Sequence, residues 1–186
     1  MGGFVLKVGF EDQKGRFRKL EKSVQLAIVG GLSDGGRKVF TRLRKQLQAQ
    51  TRPAKYATIT SRTLKTEPSV GHPCFTIFAK NEPIDLAEFK ARATASGVKA
   101  APWGVPRVFA RSFQDNRKKS DRNTEGFVAR VGAKRYPIRA LHGPNLAREF
   151  LGLTPGSQVP RTFELAAAQE VPKAIVARLS NAIGVP

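Results

Sequence analysis

The chain has one cysteine, Cys74, and two histidines, His72 and His142. A single thiol excludes an internal disulfide and any zinc site built on cysteine pairs, and nothing else asks for an oxidising compartment. Neither histidine has acids beside it, so no metal site is expected from them. Long apolar runs are also missing. None approaches a membrane span, and the opening MGGFVLKVGFEDQKG lacks the apolar stretch of a signal peptide, so a soluble protein used without export is expected. There is no phosphate loop, dinucleotide fingerprint or nucleophile elbow. Helix-turn-helix, zinc-finger and aromatic ribonucleoprotein motifs are absent too, which leaves base-specific reading without support. Acids are the scarcest class relative to their counterparts. Asp plus Glu number 14 against 33 Lys plus Arg, a formal charge of +19. That imbalance says little about fold but points to anionic partners: phosphate backbones, acidic protein surfaces or anionic membranes.

What is present suits one folded unit. The 186 residues and 40% hydrophobic content are enough for one core and fit a single domain over 1–186. Residues 3–9 read as a strand. From Phe17 the period changes: Phe17, Leu20, Val24, Ile28 and Leu32, then Val39, Phe40, Leu43 and Leu47, recur every three or four residues, the spacing of an amphipathic helix. Ser33-Asp34-Gly35-Gly36 interrupts the stripe. Two readings fit it: a turn between two helices, with Ser33 or Asp34 as the cap, or one helix whose small residues admit a close neighbour. Arg52-Pro53 should close the helix.

The pattern then turns to β. Residues 74–80, 89–96, 105–113, 127–131 and 136–141 read as strands of a mostly antiparallel sheet. A polar segment at 114–126 reads as a projecting basic loop. A helical turn is expected near Asn145–Leu151. A final helix over 162–183 carries Val171, Ile175, Leu179 and Ile183, with Pro172 either opening its second part or kinking it. The fold class is therefore α+β, an antiparallel sheet packed by a long N-terminal helix or helix pair and a C-terminal helix, with a basic hairpin arm.

Candidate chemistry is thin. His72 and Cys74 read as a loop histidine and a half-buried cysteine. Glu82, Asp85 and Glu88 could form a two-carboxylate or divalent-cation site, but the local pattern fits a loop and a short capped turn better. No cofactor is expected. The basic groups carry the stronger signal. From Arg37 to Lys65 there are nine cations and no acid. Arg37, Arg42, Arg44 and Lys45 cover the polar side of the long helix, and Arg117, Lys118, Lys119 and Arg122 sit in the polar loop. In the hairpin at 127–141, Arg135 and Arg139 are placed for contacts, while Tyr136 and Ile138 should face the core. His142 reads as a turn residue. Pro137 cannot donate a ladder hydrogen bond, which puts its strand at a sheet edge. Such groups attract phosphates without regard to base sequence.

Two segments carry a resemblance. KRYPIRALHGPNLAREF, followed by EVPKAIVARLSNAIG, resembles the C-terminal half of the minor tail protein Z family of long-tailed bacteriophages. The opening FVLKVGFEDQKGRFRKLEKSVQLAIVGGLSDGGRKVFTRLRKQLQAQT is similar to the start of phage neck and tail-completion proteins. The resemblance implies a non-enzymatic virion component at the head-proximal end of the tail, made in the host cytoplasm. It would form a ring around the DNA channel, hexameric by family analogy, and support head–tail joining. Its partners would be its own copies, tail terminator or tube and neck or connector proteins, and genomic DNA through nonspecific phosphate contacts. A nonspecific nucleic-acid-binding protein acting alone is the alternative. A metal-dependent nuclease on Glu82, Asp85 and Glu88 is a distant third.

Overall fold

The computed structural model describes residues 3–9, 14–115, 126–134 and 137–183. The architecture is α+β. It opens with β1 (Gly3–Gly9), a short α1 (Lys14–Arg18) and the long α2 (Lys22–Thr51). The break before α2 is held by one side chain: Gln25 Nε2 donates to the carbonyls of Phe17 (3.2 Å) and Leu20 (2.9 Å), which have left the helical ladder. At the other end Arg52 takes a left-handed conformation (φ 51°), and its N–H still reaches the Gln48 carbonyl at 2.8 Å. Pro53 follows, so the helix stops where the sequence expected.

Between these ends α2 is unbroken, which decides between the two readings of Ser33–Gly36. Ser33 and Asp34 are mid-helix rather than caps. Their side chains reach sideways instead, Ser33 to Glu67 and Asp34 to Arg178. The glycines mark close approach. A Cβ on Gly31 would lie 2.5 Å from Ile175 Cα, one on Gly35 2.8 Å from Val171 Cα, and one on Gly36 2.3 Å from the Phe75 ring. Helix α2 is thus wedged between α5 (Val159–Ile183) on one side and Phe75 on the other. The stripe Val39, Phe40, Leu43 and Leu47 is buried as its spacing required.

After α2 come α3 (Ala57–Thr60), β2 (Thr63–Thr66) and β3 (Cys74–Lys80), which form the sheet β1-β3-β2. Both pairings are antiparallel, with Lys7 opposite Thr76 and Lys65 opposite Ile77. Strand β3 is central. Phe75, Ile77 and Ala79 are all buried and join α2 to the sheet.

The remaining strands do not extend that sheet. β4 (Pro83–Asp85) leads into a 3-10 turn at Leu86–Phe89. Next come β5 (Arg92–Thr94), β6 (Gly97–Ala100), a 3-10 turn at Pro102–Gly104, β7 (Arg107–Phe109) and β8 (Ser112–Asp115). Then follow β9 (Gly126–Arg130), β10 (Ile138–Ala140), β11 (His142–Asn145) and α4 (Leu146–Phe150). They make three further small antiparallel sheets, β5-β6-β7, β10-β9-β8 and β11-β4.

Several expectations are corrected here. One sheet becomes four. The strand expected over 89–96 shrinks to Arg92–Thr94, because Phe89 closes a 3-10 turn and Lys90 is left-handed (φ 55°). The strand expected over 105–113 divides into β7 and β8, which belong to different sheets, because Arg111 turns the chain at φ 58°. His142 lies in a strand rather than a turn. Leu141 alternates with Tyr136 and Ile138 and so falls on the side of Arg139, yet it is buried in the hydrophobic core, and its N–H donates to the Phe127 carbonyl at 2.8 Å.

Other expectations hold. The β9–β10 hairpin pairs Ile138 with Arg130 and Arg139 with Ala129, and β10 is an edge strand, as Pro137 required. Asn145 caps α4 through its side chain, accepting from the Ala147 N–H at 3.0 Å. Helix α5 begins earlier than expected and continues through Pro172. Pro172 lacks the N–H that would bond Ala168, yet Val171 and Ile175 on either side are pressed against Gly35 and Gly31. Packing holds the turn that the proline weakens.

Candidate anion-contact surfaces

Helical spacing puts Lys38, Arg42 and Lys45 along one exposed side of α2, with Arg37 beside them. Two acids from distant parts of the chain meet these cations. Glu170 of α5 accepts from Arg42 Nη2 at 2.6 Å and lies 3.6 Å from Lys38 Nζ, while Arg42 Nη1 also donates to Gln169. Glu67 accepts from Arg37 Nε at 2.9 Å, from Ser33 and from Lys65. Arg37, Lys38, Thr41, Arg42 and Glu170 line an open groove of about 470 Å³ whose floor is partly neutralised. Lys45 is exposed and pairs with no described residue.

Arg44 serves the fold. Its guanidinium donates to Thr63 Oγ1 (2.8 Å), Thr63 O (2.7 Å) and Thr60 O (3.2 Å), and lies 4.0 Å from the Phe40 ring centroid. It therefore fastens α2 to α3 and β2. Burial pushes its pKa down, though an arginine so placed stays cationic.

The Glu67 network has a pH signature. Partial burial alone would push its carboxyl up, but the hydrogen bonds from Lys65, Ser33 and Arg37 outweigh it and hold the pKa at about 2 against an ordinary 4.5. A carboxyl depressed on folding contributes stability that is complete above the unfolded value and lost as pH falls from there towards 2. Thermal melts across that window should show an acid-side decline that is shallower in Glu67→Gln. Equal slopes in the two proteins would refute the coupling. The effect should be modest, because the site is partly exposed and screened.

In the β9–β10 hairpin Arg139 is exposed on the edge strand, whereas Ile138, expected to face the core, is only half-buried and outside the hydrophobic core cluster. Arg130 lies 5.6 Å from the Phe113 ring, and with Arg111, Ser112, Gly132 and Ala133 these residues line a shallow cleft of about 380 Å³. Arg117, Lys118, Lys119, Arg122, Arg135 and Tyr136, and most of the polar loop, lie outside the described residues.

The groups considered for catalysis are engaged locally. Cys74 is fully buried, and the His72 carbonyl accepts from its N–H at 2.8 Å. Asp85 caps the turn at Leu86–Phe89 by accepting from Ala87 N, and Glu88 accepts from Thr58 Oγ1 at 2.8 Å. Among the described residues no three His, Cys, Asp or Glu gather as metal ligands, and no helix is long and apolar enough to cross a membrane.

One basic group escaped the sequence reading: Lys90, Arg92 and Lys99, which fold together around the β5–β6 hairpin. The available signal was the stretch from Glu88 to Asp115, which holds five cations between those two acids and no acid of its own. Comparison with known proteins finds no matching family model, no matching curated protein and no matching solved structure.

Proposed function

We propose that this chain is a structural virion protein that completes the head-proximal end of a phage tail and supports head–tail joining, as a ring around the DNA channel. The observation that carries the reading is the paired resemblance of residues 134–150 and 170–184 to the minor tail protein Z family. The architecture is compatible with it. The first segment supplies the edge strand β10, β11 and the capped α4, and the second supplies the stretch of α5 that locks onto the glycines of α2. An arginine on an edge strand discourages indiscriminate strand addition while leaving a charged partner something to meet. In this reading the partners are further copies of the chain, the tail terminator or tube, the neck or connector proteins and the enclosed DNA.

The test is genetic and structural. A phage lacking this chain should accumulate filled heads and separate tails, and supplying the protein in trans should restore joining. Normal virion yield without it would overturn the reading. The alternative, a nucleic-acid-binding protein acting alone, is favoured by the charge of +19. It predicts the protein on intracellular DNA and absent from purified particles.

A further inference from the structure

We infer that the outer face of the β5-β6-β7 sheet is a phosphate-binding surface, built by Lys90, Arg92 and Lys99 to hold the phosphodiester backbone of DNA. Register makes the case. Arg92 on β5 stands directly opposite Lys99 on β6, and residues so paired project from the same face of a sheet. Like charges in that position destabilise the hairpin that carries them, unless an anion lies between them. Lys90 adds a third cation from a left-handed backbone position that a lysine seldom occupies. With Phe89, Thr94, Ala100, Ala101 and Pro106 they line a cleft of about 470 Å³ whose walls contain no acid. All three are exposed, and none is ion-paired to a described residue.

The contrast with α2 sharpens the assignment. There, Arg37, Lys38 and Arg42 meet Glu67 and Glu170, so the fold supplies the counter-charge. On β5–β6 the fold supplies none, and arginine with lysine side by side offers both the bidentate and the point-charge mode of gripping phosphate oxygens. Phe89 in the wall is buried in the core, and the other walls offer only Thr94, alanine and proline beside the cations, so no base-reading element is present and the expected contact is sequence-blind. The inference rests on the proposed function only for the source of the phosphate.

The experiment uses the full chain and a labelled random-sequence DNA duplex, with binding followed by fluorescence anisotropy over a salt series. Arg92→Ala/Lys99→Ala should weaken binding at low salt at least tenfold and flatten the slope of log K against log salt by about 2, one unit per lost phosphate contact. A control of equal charge change on α5, Arg161→Ala/Lys173→Ala, should shift affinity less than threefold. Equal losses in both pairs would mean that only total charge matters, and would overturn the site. Inorganic phosphate at fixed ionic strength should compete no better than chloride. If it displaces the duplex selectively, the cleft is a small-anion site and the DNA assignment fails. Thermal melts without DNA give a second readout. Removing the opposed cations should raise the melting temperature at low salt and leave it unchanged at high salt. A drop at low salt would mean the pair is not in repulsion and would remove the physical basis of the inference. All of this is measured on the isolated protein, so a failure here leaves tail completion standing, and a failure of tail completion leaves the binding result intact.

Discussion

Replacing Gly31 by alanine is expected to lower the melting temperature, while the same change one residue earlier, at Gly30, raises it. On an isolated helix both substitutions would help, by roughly 1 kcal/mol each, because glycine loses more backbone freedom on folding than alanine. What separates them is the neighbour. A Cβ on Gly30 would sit 3.5 Å from the Arg178 side chain, which is ordinary contact with a group that can move. A Cβ on Gly31 would sit 2.5 Å from Ile175 Cα and 2.8 Å from Ile175 N. Those are backbone atoms of α5, and no rotamer change relieves the overlap. Gly35 is placed similarly, 2.8 Å from Val171 Cα. The helices would have to move apart, giving up dispersion contacts along Ala166, Val171 and Ile175. Overpacking of this kind costs about 2–3 kcal/mol net, or roughly 5–10 °C in a chain of this size. Gly31→Leu should prevent folding altogether. Melts followed by circular dichroism decide it, and a Gly31→Ala protein as stable as the parent would show that the helices are not in backbone contact.

The glycines of α2, Gly35 and Gly36 after Ser33-Asp34 above all, also show where sequence reading stops. The apolar stripe of α2 was legible because Val39, Phe40, Leu43 and Leu47 share a face whatever they pack against. Gly-Gly was not, because a turn and a close helix crossing use the same residue for different reasons, and α5 lies far off in sequence. Strands β1 and β3, each of seven residues, were long enough to read. The region from Lys90 to Asp115 was not. Its strands run three or four residues, too few to establish a period, and its reversals fall at Lys90, Trp103 and Arg111, non-glycine residues at positive φ that give no compositional warning. The cations divide the same way. Their identity is plain in the sequence, but whether each is neutralised depends on Glu67 and Glu170, which only the tertiary fold brings to α2.

Glu149 is the clearest residue that periodicity could not have singled out, and removing its carboxylate should produce the second large effect. It is fully buried in α4, a rare environment for a carboxylate. Its Oε1 accepts from Trp103 Nε1 at 2.9 Å and its Oε2 accepts from Gln50 Nε2. Gln50 in turn accepts from the Gln158 N–H at 3.0 Å, and Ser157 Oγ donates to the Glu149 carbonyl at 2.8 Å. One side chain therefore joins the end of α2, the left-handed turn at Trp103 and the approach to α5. Glu149→Ala leaves two half-buried donors without their acceptor and opens a space in the core, and should cost about 2–4 kcal/mol. Glu149→Gln keeps the volume but turns an amide N–H₂ towards another donor, since flipping Gln50 would break its bond with Gln158. Gln50→Glu sets two carboxylates against each other. The double exchange, Gln50→Glu with Glu149→Gln, restores every donor–acceptor match. The amide now on α4 donates to the carboxylate now on α2, that carboxylate still accepts from the Gln158 N–H, and Trp103 still finds an oxygen. Each single change should therefore destabilise, and the double should recover most of the loss, with a coupling of about 2 kcal/mol or more. Trp103 is the chain's single tryptophan, so its fluorescence reports unfolding at the site itself. If the two single losses merely add in the double variant, Glu149 is not the joint between these elements, and α4 is held only by the packing of Leu146 and Phe150.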